Sequence, residues 1–453
     1  MTKNIQPKIG KTPLTPFEHY MLADDRQTHS MACHMRFWFT GRFIRSHFEE
    51  ALRQILPQNP CFQMTIEGSR HNRTKDIFWI PETDIVMPFL SWAEQGTPID
   101  HPAAGPTVDL YQEIGLRFWL RDSETRSSTQ TMMLVQFHHS ACDGIGLIQF
   151  IDDLLIAYGQ VTGTTHIKPR IVDASKFLQR EHLHLSQSDW AARKMIDWQR
   201  TLMFFGSIAQ TLSTTSKANL PPTADAQASE RIVLSHSVSA KFRELARLKN
   251  VFVNDLLLQL LFVTLAEWQG PLRDTFQKVR ISLAMSLRSE KDETQSASNL
   301  VSMVFLDRSL QAIRSPELLA TIAEETKRIK DNRNALTLIR VLRRLGTVRY
   351  LMSFFVNVPT CAATAVLTNL GHSFAGSRLR GADGKVWVGN ITLEALELLA
   401  PVRPKTAAAF AINYYAGQLS ISVHYDTTRL TREQAQRLIK MLCDRIETGC
   451  QHL

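Results

Sequence analysis

Cysteine is scarce in this chain of 453 residues, and its six cysteines are widely scattered. They form no CxxC pair, so the sequence lacks the spacing typical of a zinc site. Their separation favours reduced thiols over a disulfide framework, which predicts a cytoplasmic protein. The six are Cys33, Cys61, Cys142, Cys361, Cys443 and Cys450. We expect no metal site and no tightly bound cofactor.

Other absences exclude further classes of protein. Residues 1–16 contain no apolar run, so no secretory signal is predicted. Zinc-finger, RNP and helix-turn-helix signatures are missing, so we expect no nucleic-acid partner. Charged residues make up only 21% of the chain and hydrophobic residues 44%, which is typical of a folded globular protein. We expect it to be a monomer.

Positive charge exceeds negative charge, with 52 Lys and Arg against 43 Asp and Glu and a net charge of +9. This excess favours anionic partners such as CoA phosphates, an acidic carrier protein or anionic lipid. A basic region precedes the charge-free residues 350–367, and it contains Lys327, Arg328, Lys330, Arg333, Arg340, Arg343, Arg344 and Arg349.

The charge-free stretch 350–367 is long enough for a transmembrane helix. Asn357, Pro359 and several threonines argue against that interpretation. We predict instead a buried helix and strand, or a peripheral membrane contact beside the basic region. A solvated helix face is the simplest interpretation of the basic residues themselves.

The chain does contain a compact group of polar residues that follows an apolar segment. Residues 131–137 (TMMLVQF) are predicted to form a strand buried on both faces. His138 and His139 come next, and Asp143 with Gly144 opens a helix with apolar residues at helical spacing. Alternation along the strand places the two histidine rings on opposite faces, so they cannot do the same job.

Each of these residues has an ordinary interpretation beside a functional one. A histidine is often a satisfied core residue, and an aspartate before a helix is often a plain N-cap. In the functional hypothesis His139, with a near-neutral pKa, takes a proton from a nucleophile. Asp143 then fixes the shape of the loop, and Gly144 leaves room for a group to approach the backbone. The full pattern in a strand–loop–helix setting favours the functional hypothesis.

The run His138-His139-Ser-Ala-Cys-Asp143-Gly144 resembles the HHxxxDG motif of the CoA-dependent acyltransferase superfamily. That superfamily includes chloramphenicol acetyltransferase-like enzymes, nonribosomal-peptide condensation domains, polyketide-associated acyltransferases and wax ester synthases. The resemblance implies an α/β fold (α+β, two-layer) with two chloramphenicol acetyltransferase-like halves that form a V-shaped cleft. It also implies a catalytic His139, structural roles for His138, Asp143 and Gly144, and a packing role for Cys142.

Patterns in the second half of the chain extend the resemblance. Residues 279–288 alternate between apolar residues and small or basic ones, and they end in Arg288. Its position matches the arginine that pairs with the motif aspartate in the superfamily; the alternative is a surface arginine at a strand end. Small residues on one face leave space for a channel, and its predicted lining includes Ser282, Ser286, Asn299 and Asn369.

The chain is predicted to divide into an N-terminal half that carries the motif (1–165), a bridging helix and linker (166–230), and a C-terminal half (231–453). Residues 386–391 resemble part of the segment that crosses from the second half to the first in condensation-type proteins. Asn254 is either a plain N-cap or part of an Asn-Asp motif resembling that of wax ester synthases.

We therefore predict an acyltransferase that uses acyl-CoA or an acyl carrier protein as its donor. The CoA or phosphopantetheine thioester is a co-substrate, and the acceptor is an alcohol or amine. His139 is the predicted general base, a role worth on the order of a hundred- to ten-thousand-fold in rate. Two alternatives stay open: a noncatalytic carrier-protein-binding or scaffold protein of the same fold, and a stand-alone condensation-type domain that acts in trans.

Overall fold

The computed structural model describes residues 9–100, 105, 107–124, 129–180, 208–212, 228–269, 277–288, 294–331, 335–358 and 360–451. Within these residues the chain forms two large β-sheets, each packed against helices, and one three-stranded sheet. Of the bridging helix and linker predicted for 166–230, residues 181–207 and 213–227 lie outside the described residues.

The first sheet surrounds the strand that carries the histidines. Across the sheet its strands are Trp387–Val388, Ile391–Leu399, Ala32–Thr40, Thr129–His138, Leu116–Glu124 and Phe89–Glu94. Residues 133–138 are buried without interruption, which confirms the predicted burial on both faces. Helices Arg45–Ile55 and Gly144–Val161 pack into the same hydrophobic core. The Gly144–Val161 helix is long and apolar enough to cross a membrane, but 67% of it is buried, as expected of a core helix.

A strand from late in the chain completes this first sheet. Ile391–Leu399 pairs antiparallel with Ala32–Thr40, so the chain crosses from the second half to the first just after the predicted residues 386–391. Those residues supply the short edge strand Trp387–Val388. An ion pair of 3.1 Å between Arg36 and Glu397 joins the same two strands. The crossing strand covers what would otherwise be an open edge of the sheet. Residues 387–399 thus belong spatially to the first half, although the sequence division places them in 231–453.

The second sheet is built from the C-terminal part of the chain. Across it lie Val301–Arg308, Gln277–Ser286, Ala365–His372, Ala408–Tyr415, Gln418–Tyr425 and Ser229–Val233, with Ile208–Ala209 beside Gln277–Ser286. The helices of this half are His236–Leu248, Val253–Gln269, Leu310–Arg314, Leu318–Asp331 and Arg432–Cys450. The turn between strands Ala408–Tyr415 and Gln418–Tyr425 has positive φ at Ala416 and Gly417, as a two-residue hairpin loop requires.

The remaining elements lie near the junction of the halves. The small sheet contains Thr12–Pro13, Phe78–Pro81 and Met64–Glu67. Helices Pro16–Asp24, Leu336–Leu345 and Leu351–Val356 share a hydrophobic cluster that includes Phe17, Tyr20, Leu342 and Met352. Apart from Pro359, which lies outside the described residues, the charge-free stretch contains the short helix Leu351–Val356 and the start of strand Ala365–His372, as predicted. The helix is only partly buried, because Phe354 is 72% exposed.

Candidate active site

A cavity of about 120 Å³ lies between the two halves and beside the histidine motif. Its volume is several times the roughly 10–15 Å³ that one water requires, so it has room for an organic group. Residues of both halves line it, among them Phe17, Tyr20, Met21, Cys33, His139, Asp143, Gly144, Ser286, Arg288, Met303, Asn369 and Arg403.

His139 presents its ring to this cavity while its main chain is held from both halves. Its N–H donates to the Met31 carbonyl at 2.9 Å, and its carbonyl accepts from Asn299 Nδ2 at 2.6 Å. The ring Nδ1 is buried, so Nε2 is the nitrogen available to a bound group. Burial lowers the pKa of His139 despite the opposing effects of nearby backbone carbonyls and Asp143. A neutral imidazole at neutral pH can accept a proton.

His138 points away from the cavity, as strand alternation predicts. Its side chain is 1% exposed, and its Nδ1 accepts the Ser140 N–H at 3.0 Å. That bond places the proton on Nε2, which lies 3.8 Å from the Asp25 carboxylate. Burial would raise the pKa of Asp25, but His138, the Met31 N–H and Arg70 outweigh it and the pKa is lowered. His138 therefore ties the motif to the end of helix Pro16–Asp24.

Asp143 and Arg288 form the predicted ion pair across the two halves. Arg288 Nη1 donates to Asp143 Oδ2 at 2.5 Å, although the residues are 145 positions apart. Their side chains are 8% and 6% exposed, so the alternative of a surface arginine is wrong. Asp143 Oδ1 also accepts the Gly146 N–H at 2.9 Å, and Asp143 is the N-cap of its helix. Asp143 is therefore both the N-cap of its helix and the partner of Arg288.

A short loop of the second half, residues 295–300, contacts the histidine motif and Arg288. The Ser298 carbonyl accepts from Arg288 Nη2 at 2.8 Å, and the Leu300 N–H donates to Asp143 Oδ2 at 2.7 Å. Asn299 donates to the His139 carbonyl. Asn299 was predicted to line a channel, but it does not line the described cavity. Its amide is used to hold the main chain of His139 instead.

The other predicted channel residues divide between the cavity and the core. Ser286 and Asn369 line the cavity. Ser282 does not line it; the residue is buried, and its hydroxyl donates to Sδ of Met303, a lining residue, at 3.5 Å. Asn369 Nδ2 donates to Asn254 Oδ1 at 2.5 Å.

The N-cap interpretation of Asn254 is wrong, because its helix already begins at Val253. Asp255 accepts the Phe252 N–H at 2.9 Å and so caps this end of the helix. Asn254 is left free to bind Asn369 beside the cavity.

Two motif glycines make room for side chains of the second half. A Cβ on Gly144 would lie 2.8 Å from Leu370 Cδ2, so part of the space predicted for an approaching group is filled by Leu370. A Cβ on Gly146 would lie 2.9 Å from Arg288 Nη2. Gly146 thus allows the guanidinium to reach Asp143. Gly146 stands two residues after Gly144 in helix Gly144–Val161, and no sequence pattern indicates its role.

A second buried ion pair supports the motif loop from below. Arg180 Nε donates to Glu18 Oε1 at 2.6 Å, and both side chains are at most 2% exposed. The Glu18 carboxylate also accepts from Trp79 Nε1 at 3.0 Å, while its carbonyl accepts from Ser140 Oγ at 3.0 Å. This network anchors the loop to helix Pro16–Asp24, and the sequence analysis did not identify it.

Neither metal chemistry nor thiolate chemistry is favoured by the residues at the site. Among the described residues, no group of three His, Cys, Asp or Glu is arranged to hold a metal ion. Cys142 is fully buried, and burial raises the pKa of its thiol well above the ordinary value. A buried neutral thiol packs as a small apolar group, in agreement with the packing role expected for Cys142.

Comparison with known protein families gives one match over most of the chain. The model of the family described as Condensation domain matches residues 8–336. No curated protein sequence matches the chain.

Solved structures share the fold over almost the whole length. The condensation domain of the monacolin K polyketide synthase MokA has a TM-score of 0.68 at 13% identity and covers 98% of each chain. The epimerization domain from the third module of tyrocidine synthetase B has a TM-score of 0.65 at 16% identity, with 98% of each chain covered. A mutant starter condensation domain of rhizomide synthetase RzmA, in complex with C8-CoA and Leu-SNAC, has a TM-score of 0.67 at 13% identity and covers 97% of this chain and 94% of its own.

Proposed function

Because this chain belongs to the condensation-domain family, whose chemistry is acyl or peptidyl transfer, we propose that it transfers an acyl group from a thioester to a hydroxyl or amine. The thioester is carried by CoA or by the phosphopantetheine of a carrier protein. The complex of the RzmA domain with C8-CoA supports a CoA thioester as one kind of donor. The cavity between the two halves is the proposed reaction site.

His139 is the proposed general base. Its Nε2 takes the proton from the acceptor hydroxyl or amine while the acceptor oxygen or nitrogen bonds to the thioester carbonyl carbon. The carbon–sulfur bond then breaks, and the proton on the imidazole passes to the departing thiolate. The products are an ester or amide and a free thiol, so no oxidant and no metal ion is required.

One observation carries this proposal: the neutral ring of His139 opens on a cavity built from both halves, and its loop is fixed by bonds from both halves. Preorganisation of this kind supports a chemical role, because a base must be held within about an ångström of the proton it removes. Fixing the loop in this way buries polar groups, which costs free energy. In a noncatalytic scaffold protein that cost would serve no reaction.

We also propose that the protein acts in the cytoplasm as a monomer, with a peripheral membrane contact as an additional feature. Six buried free thiols support a reducing compartment. Phe354 is 72% exposed and Tyr350 is 56% exposed, and both follow the exposed Arg343 and Arg344 along the chain. Exposed aromatic residues beside basic ones suit a membrane interface.

The test is a panel of acyl-CoA thioesters of increasing chain length, incubated with amine and alcohol acceptors. Free thiol is measured over time, and the acylated acceptor is identified by mass spectrometry. We expect acceptor-dependent thiol release that His139→Ala removes. A domain acting in trans would release thiol only from carrier-bound donors, which the same assay measures with an acylated carrier protein. Acceptor-independent release, or no release from either donor type, would favour the scaffold alternative.

A further inference from the structure

The cavity that exposes His139 is also lined by a charged side chain outside the motif and its ion pair, Arg403. Tyr20 lines the same cavity, and the Arg403 guanidinium lies 5.5 Å from the centre of its ring. Phe17, Met21 and Pro401 contribute apolar surface to the lining. A bound molecule therefore meets a base at His139 and a cation at Arg403 within one apolar enclosure.

The charge beside Arg403 is not balanced. Its Nε donates to the carboxylate of Asp24, which is fully buried and does not line the cavity. Asp24 accepts a second bond from Arg26 at 3.2 Å, so two guanidinium groups share one carboxylate. Both arginines also lie within hydrogen-bond distance of the Val356 carbonyl, which carries no charge to cancel theirs.

The acid nearest in sequence does not supply the missing negative charge. Asp25 faces His138 and accepts the Met31 N–H, and its carboxylate interacts with Arg70. Counting Asp24 and Asp25 against Arg26, Arg70 and Arg403 leaves one positive charge unpaired among these five residues. At the cavity, Arg403 is the group that presents this charge, because it shares Asp24 with Arg26, whereas the other cation of the lining, Arg288, has Asp143 as its own partner.

Tyr20 adds a neutral donor to the same place. Its hydroxyl forms no hydrogen bond with any of the described residues, although the residue is only 3% exposed. Burial raises the pKa of Tyr20 to about 12, so the phenol keeps its proton at neutral pH. A phenol and a guanidinium that face one cavity are both hydrogen-bond donors. What these two donors lack in the cavity is a partner that accepts hydrogen bonds and carries one negative charge.

We infer that the substrate carries a carboxylate and that Arg403 and Tyr20 bind it in the cavity that His139 also lines. One carboxylate cancels the single surplus charge, and bonds between charged groups are stronger than neutral ones. A wholly apolar group would instead cover a guanidinium without replacing the water it loses. This inference rests on the proposed function, because it assigns the carboxylate to one of the two reactants at His139.

The carboxylate has two possible carriers, the far end of the donor acyl chain or the acceptor. Binding measured by isothermal titration calorimetry separates them with matched pairs. Succinyl-CoA against butyryl-CoA tests the donor, because the acyl chains have equal length. Leucine against leucinamide and 3-hydroxybutyrate against 3-hydroxybutyramide test the acceptor. We expect the carboxylate member of the donor pair or of an acceptor pair to bind at least about tenfold more tightly.

Four variants connect this preference to the named residues. Arg403→Gln should reduce the preference to about twofold or less. Arg403→Lys should retain only part of it, because the charge remains but the planar guanidinium that reaches several acceptors at once is lost. Tyr20→Phe keeps the ring and should lose part of the preference. Arg26→Gln leaves the cavity lining intact but gives Arg403 an undivided partner in Asp24, so it should also weaken the preference. If circular dichroism shows that Arg403→Gln is unfolded, the carboxylate preferences of Tyr20→Phe and Arg26→Gln decide whether the inference stands.

The outcomes separate this inference from the proposed function. Equal affinity within every pair, or a preference that survives Arg403→Gln in folded protein, overturns the inference. Thiol release from the same thioesters tests acyl transfer independently. A carboxylate preference in binding without any transfer would overturn the proposed function and leave the binding site standing. Transfer that proceeds as well with neutral donors and acceptors as with carboxylate-bearing ones would overturn the inference and leave the proposed function standing.

Discussion

The side chain of Asn299 donates a hydrogen bond of 2.6 Å to the main-chain carbonyl of His139, 160 residues earlier in the chain. Asn299 belongs to the second half and His139 to the first. The next residue, Leu300, donates its N–H to Asp143. The proposed base is therefore held in position only when the two halves are docked together.

Replacement of Asn299 by Ala should lower kcat by roughly 10–100-fold, because a small displacement of a catalytic group is costly. KM for the thioester should change much less, since Asn299 does not line the cavity. Steady-state kinetics on the wild type and variant give both values. Ser282→Ala is the matched control, as Ser282 is equally buried in the second sheet but does not touch the motif. A loss of thermal stability with unchanged kcat would assign Asn299 a purely structural role.

The two adjacent histidines should respond to alanine in opposite ways. His139→Ala should reduce acyl transfer by roughly 10²–10⁴-fold with little change in melting temperature, because its role is chemical. His138→Ala should lower the free energy of unfolding by about 1–3 kcal/mol, because the buried Ser140 N–H loses its acceptor. Urea unfolding and thiol release on both variants test this. Full activity in His139→Ala would end its assignment as the base.

The pH dependence of kcat/KM should report the burial of His139. The ring must be neutral to accept a proton, and burial lowers its pKa below the usual value of about 6.5. Activity should therefore stay level as pH falls from about 8 to about 7, and decline only as pH passes below about 6.5. Asp25→Asn is the control, because Asp25 interacts with His138 rather than His139. An acid limb with a midpoint above about 6.5 would contradict the assignment.

The part of the site that could be predicted from sequence is the part with a distinctive residue type. Two adjacent histidines after an apolar strand, and an aspartate before a helix, can be recognised from residue type and position in the sequence. The strand pattern alone leaves Arg288 open as a surface arginine, and the resemblance to the superfamily assigns it as the partner of Asp143. A crossing segment is also predicted from the resemblance to condensation-type proteins, but at residues 386–391, whereas the strand that crosses is Ile391–Leu399.

The roles that the sequence does not reveal have a different character: one side chain binds a main-chain carbonyl, and one glycine matters for the atoms that it lacks. Asn299 donates to a main-chain carbonyl. Every residue has such a carbonyl, so no residue type in the sequence indicates where the acceptor lies. Gly146 matters because a Cβ there would meet the Arg288 guanidinium. Ser282 was wrongly placed in the channel because alternation identifies a face of a strand, while the extent of the cavity along that face depends on packing.

Ionic strength should separate long-range attraction from simple solvation of the basic surface. The net charge of +9 should attract a phosphorylated donor, and salt at about 0.1–0.5 M screens that attraction. We expect KM for acyl-CoA to rise with salt while kcat changes little. An acyl thioester of N-acetylcysteamine, which lacks phosphates, is the control. If both donors respond equally to salt, the basic surface does not serve the donor.

The ion pair between Asp143 and Arg288 gives the most stringent test of how the halves meet. With both side chains at most 8% exposed, either single replacement by Ala leaves a buried charge without its partner. Each should cost about 3–5 kcal/mol in unfolding free energy. The double variant should cost much less than the sum, with a coupling energy above about 1 kcal/mol. Urea unfolding of the four proteins completes the double-mutant cycle.

The control for this cycle is the pair Arg280–Asp307, which is joined at 2.6 Å and similarly buried but lies within the second sheet alone. Its single variants should also destabilise the protein, yet they should leave kcat of the folded fraction near the wild-type value. Asp143→Ala and Arg288→Ala should lower kcat as well, because Asp143 holds the loop after His139 through Gly146 and Leu300. Additive losses at Asp143 and Arg288 would mean that the pair does not form in solution. Equal kcat in both sets of variants would mean that the pair is present but does not position His139.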